Sequence, residues 1–280
     1  MNEAAGLQAA AWLGAHAPEL YVAVSVLLVA VTLLGWYLLQ HTARPQPQMP
    51  PAALSYRMRL AMGCALVALS SAAFAWLAEE LLDGPALSAL DVAFTDALAR
   101  AVPDGVVQAA ALLTRLGDPA TLGVLGIAVG TALLLRRHAG LALGWAVALG
   151  GNGMLNPALK QLFARLRPLH AAEGASGHGF SVPSGHSSGT VVAFGMLAYL
   201  GLRLLPPRWH LPVLLAAVLL AFSVGVSRII LRVHYASDVA AGFASGTAWL
   251  AFCVTGIEFG RWLRHRATRA QGDGQRAAAE

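Results

Sequence analysis

The stretch LPVLLAAVLLAFSVGVSRIILRVHYASDVAAGFASGTAWLAFCVTGIEF, residues 211–259, decides the fold class. Two apolar runs, about 211–227 and 238–259, flank a short break that carries Arg228, Arg232, His234 and Asp238. As helices rising 1.5 Å per residue, such runs have the length that crosses a hydrocarbon layer roughly 30 Å thick. The charged break then lies at one membrane surface.

The pattern repeats towards the N-terminus, with apolar runs at about 20–39, 60–77, 119–135, 141–159 and 186–205. A chain of 280 residues that is 57% apolar and 12% charged is too hydrophobic for an ordinary soluble domain. The expected class is all-α, a polytopic transmembrane helical bundle. No positive region precedes the first run, which therefore reads as a retained span and not a cleavable leader. Residues 87–100 place Leu87, Leu90, Phe94 and Leu98 at helical spacing, as in an amphipathic helix lying on the bilayer. Residues 41–59 read as a Pro-rich linker in which prolines and arginines break the helix, and the polar tail beyond 269 reads as disordered. The division expected is 1–59 (first helix and linker), 60–260 (catalytic membrane domain) and 261–280 (basic, then disordered tail).

The formal charge of +5 is spread through short segments and the tail, which points to topology signals and lipid headgroups and away from nucleic acid. Cys64 and Cys253 both sit in apolar runs, so neither a disulfide framework nor a thiolate metal site is expected. With the N-terminus outside, the Arg-bearing segments 41–59, 136–140, 203–210 and 261–269 all fall in the cytoplasm. Two outside segments break the rule: 160–182, with Lys160, Arg165 and Arg167, and 228–237, with Arg228 and Arg232. Cations that oppose the topology bias need another purpose, and anion binding is the simplest.

Lys160 is the one lysine among 19 basic residues. Lys160 and Arg167 are two helical turns apart, and with Arg228 they would surround a phosphate, whose oxygens match guanidinium forks. Pro183, Ser184, Gly185 and His186 precede a long apolar helix, where Ser184 can cap, Gly185 admits a ligand and free N–H groups cradle an anion. His234 and Asp238 share a helix face, so the carboxylate can orient the imidazole. These parts predict in-line attack by His234 on phosphorus, with His186 as general acid and then base, Asp238 orienting His234, and the cations stabilising the transition state. Arg165 and Arg232 fit an anchoring role as well as a ligand-facing one, and His178 reads as a surface residue. Asn156 is expected to hold Lys160 in place.

Lys160 with Arg167 and Pro168, then Pro183-Ser184-Gly185-His186, then Ser227-Arg228 with His234 and Asp238, resemble the three signature motifs of the type 2 phosphatidic acid phosphatase (PAP2) superfamily of membrane lipid phosphatases. The resemblance implies a six-helix core at about 60–259, with one additional N-terminal transmembrane helix here. It also implies metal-independent hydrolysis at the extracytoplasmic face of the cell (inner) membrane, phosphate binding by Lys160, Arg167, Ser184, Gly185, His186 and Arg228, and support from Asn156, Pro168, Pro183 and Ser227.

The expected partners are a membrane lipid phosphate and the bilayer, with no cofactor, no metal, no nucleic acid and no obligate protein partner. Candidate substrates are undecaprenyl pyrophosphate, phosphatidylglycerol phosphate, phosphatidic acid and a lipid A phosphate. Lipid phosphotransfer through the same phosphohistidine and a non-enzymatic anion transporter are the alternatives. Haloperoxidase chemistry, also found in the superfamily, has no need of a long membrane bundle.

Overall fold

The computed structural model describes residues 3–42, 51–83, 85–166 and 180–277. The elements are helical throughout: α1 (Glu3–Ala15), α2 (Ala17–Thr42), α3 (Pro51–Asp83), α4 (Pro85–Ala101), α5 (Asp104–Leu113), a 3-10 turn (Thr114–Gly117), α6 (Pro119–Leu135), α7 (Ala139–Phe163), α8 (Gly185–Leu204), a second 3-10 turn (Pro207–Trp209), α9 (His210–Ile230) and α10 (Ala236–Ala277). The chain is a multi-pass membrane protein.

Five of these helices, α2, α3, α8, α9 and α10, are long and apolar enough to cross a membrane among the described residues. A sixth span forms if Asp104–Gly117 and Pro119–Leu135, which meet at 43°, are taken as one broken element. The sequence reading counted residues 119–135 alone as a span, but α6 has only 17 residues. It also counted 141–159. There α7 has ample length at 25 residues, but glycines, Asn152, Asn156 and Pro157 dilute its apolar character. Two further expectations change: helix α3 already begins at Pro51, inside the expected linker, because proline is tolerated in the first turn of a helix. Helix α10 runs through the expected disordered tail to Ala277. The short Ala-rich α1 was not anticipated; it packs on α4.

Burial divides the bundle into an inner and an outer layer. More than half of the apolar window of α8 is enclosed, whereas none of that of α2 or α3 is. Val192 and Met196 of α8 pack with Trp145 and Ala148 of α7, Leu133 of α6 and Cys253 of α10. Trp145 donates its indole N–H to the Gly126 carbonyl at 2.9 Å, so the ring fills the core without stranding its polar atom. The outer helices turn large side chains such as Val26 and Leu69 outward, which is the arrangement a lipid solvent favours.

Helix ends place the candidate segments. Ala164 takes a left-handed conformation (φ 44°) and its N–H donates to the Lys160 carbonyl, closing α7. Arg232 (φ 55°) reverses the chain between α9 and α10. The end of α7, the start of α8, the end of α9 and the start of α10 therefore meet at one end of the bundle, together with the 114–118 segment ahead of α6.

Candidate active site

Ser184 caps α8: its hydroxyl oxygen accepts the Ser187 N–H at 3.4 Å, and its own N–H donates to the Asp238 carbonyl at 3.0 Å. The second bond fastens the segment that carries His186 to the turn that carries His234. Tight packing reinforces the junction, since a Cβ on Gly242 of α10 would come within 2.7 Å of the Ser184 carbonyl oxygen. Pro183 and Ser184 are fully buried, and the Val182–Pro183 peptide is cis.

The Asn156 side chain donates to the Pro183 carbonyl at 3.4 Å and to Ser188 Oγ at 3.1 Å. It thus holds the start of α8, and the expectation that it holds Lys160 is corrected. Gly185 leaves room for the Asn156 side chain, since a Cβ there would lie 3.0 Å from Asn156 Oδ1. Lys160 reaches instead to the carbonyl of Phe180, at 2.7 Å, and ties the end of α7 to the chain re-entering at α8. Arg167, Pro168 and His178 lie outside the described residues.

At the α9–α10 turn, His234 is 2% exposed and Asp238 fully buried. His234 Nδ1 lies 3.4 Å from Asp238 Oδ2 and 3.3 Å from Ser181 Oγ. The Ser181 hydroxyl and, at 2.9 Å, the Tyr235 N–H both donate to Asp238 Oδ2. The nitrogen facing the carboxylate is Nδ1, which leaves Nε2 on the other side of the ring. Arg228, at the end of α9, is buried and donates from Nη1 to Thr114 Oγ1 at 2.8 Å. Ser227 turns its hydroxyl back to the Val224 carbonyl at 2.6 Å, a bond within its own helix. His186 Nε2 sits 2.8 Å from Asp118 Oδ1.

Arg165, which fitted two roles by sequence, is the central tie of this end. Its Nη1 donates to Asp238 Oδ1 at 2.7 Å and to Ser237 Oγ at 2.8 Å; its Nη2 donates to Asp91 Oδ2 at 2.9 Å. The guanidinium also lies 4.6 Å over the Tyr235 ring. Ser237 in turn donates to Asp91 through its N–H, at 3.2 Å, and through its hydroxyl. Asp91 is 4% exposed, and burial raises its pKa from the ordinary carboxylate range against the opposing pull of Ser237 and Arg165. One guanidinium thus compensates two buried carboxylates, which would otherwise be costly to enclose.

The sequence reading missed Asp91, Asp118, Thr114, Ser181 and Ser237. Only Asp91 left a trace: it interrupts the apolar stripe of Leu87, Phe94 and Leu98 on α4, where a carboxylate has no place without a partner. The others are small or acidic residues in loops and helix ends, whose partners become visible only in the fold.

A family model described as the PAP2 superfamily matches residues 139–262. Phosphatidylglycerophosphatase B of Bacillus subtilis is 32% identical over 148 residues, covering 52% of this chain and 72% of that protein. A lipid A 1-phosphatase of Rhizobium johnstonii is 37% identical over 119 residues, and one of Rhizobium etli is 35% identical over the same length. The chain spans less than half the length of either: 44% and 47%. Among solved structures, a transmembrane PAP2 type phosphatidylglycerolphosphate phosphatase from Bacillus subtilis superposes with a TM-score of 0.63 at 26% identity, covering 67% of this chain and 93% of that one.

Proposed function

Because the chain belongs to the PAP2 superfamily, in its membrane lipid phosphatase branch, we propose that it hydrolyses the phosphomonoester or pyrophosphate of a membrane lipid through a phosphohistidine. The observation that carries this reading is the Ser184 N–H bond to the Asp238 carbonyl, which joins the segments bearing the two histidines.

His234 Nε2 attacks phosphorus while Asp238, assisted by Ser181, holds Nδ1. The bond from phosphorus to the lipid oxygen breaks, and His186 protonates that oxygen as it leaves. Water then attacks the phosphohistidine and gives its proton to His186; the N–P bond breaks and phosphate departs. Lys160, Arg167 and Arg228, with the N–H groups at the start of α8, balance charge on the equatorial oxygens. The reaction needs no metal ion in this scheme, since side-chain cations do that task. His186 Nε2 faces Asp118, so the leaving oxygen and Asp118 compete for the same proton, and Asp118 sets the ring's orientation between turnovers.

Phosphatidylglycerol phosphate is the first substrate to test, because the relative covered over 72% of its length is a phosphatidylglycerophosphatase. The lipid A 1-phosphatases sustain a second candidate, a lipid A phosphate. The site faces the extracytoplasmic side of the inner membrane, with the N-terminus outside and the C-terminus in the cytoplasm. The arginines at 136, 137, 203, 208, 261, 264 and 266, all towards the other end of the bundle, support that orientation.

The test is phosphate release from both lipids by the detergent-solubilised chain in the presence of a chelator, with acid-labile, base-stable phosphate trapped on the protein during turnover. Turnover that collapses in chelator, or that persists at the wild-type rate in His234→Ala, would remove the mechanism.

A further inference from the structure

The N-terminal helices reach the histidine end through packed contacts. Gly6, Ala10 and Gly14, each four residues from the next, form the buried face of α1. A Cβ on Gly14 would overlap the Phe94 carbonyl oxygen of α4 and lie 3.0 Å from the Ala97 Cβ, so the two helix backbones meet there. Helix α4 in turn buries Asp91, Thr95 and Leu98. Leu98 and Phe94 pack with Ile229 of α9 and Val239 of α10, and Ala17, at the start of α2, joins them. The residues matched by the family model begin at 139, so α1 and α4 lie outside them.

We propose that α1 and α4 brace the proposed nucleophile: Asp91 is a positioning residue that, through Arg165 and Ser237, fixes the Asp238 carboxylate and with it the His234 ring. This inference rests on the phosphohistidine reading above and adds a requirement to it. Two routes lead from Asp91 to the α9–α10 turn. In the first, Arg165 forks between helices: Nη2 donates to Asp91 Oδ2 at 2.9 Å and to Ser88 Oγ at 3.3 Å on α4, while Nη1 donates to Asp238 Oδ1 at 2.7 Å. In the second, Asp91 accepts the Ser237 N–H at 3.2 Å and the Ser237 hydroxyl, which sets a carboxylate of α4 against the first turn of α10. First-turn N–H groups have no partner within their own helix, and negative charge suits that end of the helix dipole.

The geometry at Asp238 gives this support its consequence. The guanidinium occupies Oδ1, while Oδ2 accepts from the Ser181 hydroxyl and from the Tyr235 N–H at 2.9 Å and faces His234 Nδ1 at 3.4 Å. A carboxylate held at both oxygens keeps one rotation, and so keeps the imidazole in one orientation. Without Asp91 the Arg165 fork loses its charged anchor on α4, and its direction towards Asp238 is no longer set from both sides. A lysine at 165 has no fork with which to serve two helices.

The experiment joins two readouts on the full chain in detergent: steady-state phosphate release from phosphatidylglycerol phosphate, and the ring N–H proton spectrum of the chain labelled with nitrogen-15 at histidine. Asp91→Asn and Arg165→Lys should lower kcat by roughly 10–100-fold, the scale of a misplaced reacting group, with KM within about twofold of wild type. Gly14→Ala, remote from the reacting groups, should lower kcat by about tenfold in the same manner. Ala9→Leu, on the exposed side of α1, should match wild type. The His234 Nδ1–H resonance, assigned by its loss in His234→Ala, should shift in Asp91→Asn and in Gly14→Ala. A wild-type kcat or an unshifted resonance in Asp91→Asn would overturn the proposal, as would a change confined to KM or an equal loss in Ala9→Leu. Wild-type turnover in His234→Ala would sink the phosphohistidine reading instead, and the resonance would then still decide whether Asp91 positions the ring.

Discussion

The two ends of the inner helices handle charge in opposite ways. At the histidine end, Arg165 is enclosed with Asp91 and Asp238, and its partners come from α4 and α10. At the other end, Arg137, Arg261 and Arg264 line an open cleft, with no carboxylate among its described lining residues. Enclosed charge must be compensated internally, because water cannot solvate it, and the compensation fixes geometry. Charge at an open cleft is within reach of solvent and needs no such enclosure. The first arrangement suits orientation of a side chain, and the second places no such constraint on its side chains.

The contrast is broken most severely at His234. His234→Ala is expected to reduce phosphate release by roughly 10³–10⁴-fold, the scale seen when a member of a nucleophile–base–carboxylate unit is removed. Arg165→Met tests the enclosed end directly. It leaves two buried carboxylates without their common cation and should cost about 3–5 kcal/mol, read as a lowered denaturation midpoint, whereas Arg137→Gln should leave that midpoint within about 0.5 kcal/mol.

The same variant has a pH signature. Burial raises the Asp91 pKa in the folded state, and loss of Arg165 removes one of the interactions that oppose the rise. A carboxyl with a folded pKa above its unfolded value stabilises the fold when protonated. That contribution is complete below the ordinary carboxylate range near pH 4 and is lost as pH rises through the elevated folded value. Arg165→Met should therefore regain part of its lost Tm on acidification, and a deficit independent of pH would sink the assignment.

Smaller effects sharpen the comparison. Gly242→Ala pushes a methyl group against the Ser184 carbonyl and should cost about 1–3 kcal/mol, with turnover falling as the two histidine segments separate. Asp118→Asn should keep the Tm and lower turnover by roughly tenfold, less than the 10²–10⁴-fold contributed by a general acid itself. An equal loss in His186→Ala and Asp118→Asn would instead make the pair a single unit.

Much of this was legible in the linear sequence. Apolar runs of span length identified most of the helices, and the spacing of His234 to Asp238 anticipated a carboxylate beside one imidazole nitrogen, which the fold makes Nδ1. The span count was less secure, since α6 is short and glycines and asparagines interrupt α7. Local chemistry misassigned Asn156: proximity in sequence suggested Lys160, whereas its partners Pro183 and Ser188 are 27 and 32 residues away. Arg165 could not be assigned at all, because its acceptors Asp91 and Asp238 are 74 and 73 residues distant in opposite directions.

The sequence by itself determined the membrane class and put the candidate site residues at helix ends, because hydrocarbon thickness and the 1.5 Å rise constrain where polar groups can interrupt an apolar run. Only the tertiary structure decided which buried charges share a cation and which line an open cleft. Those pairings join elements distant in the chain, and their energies depend on the burial that packing creates.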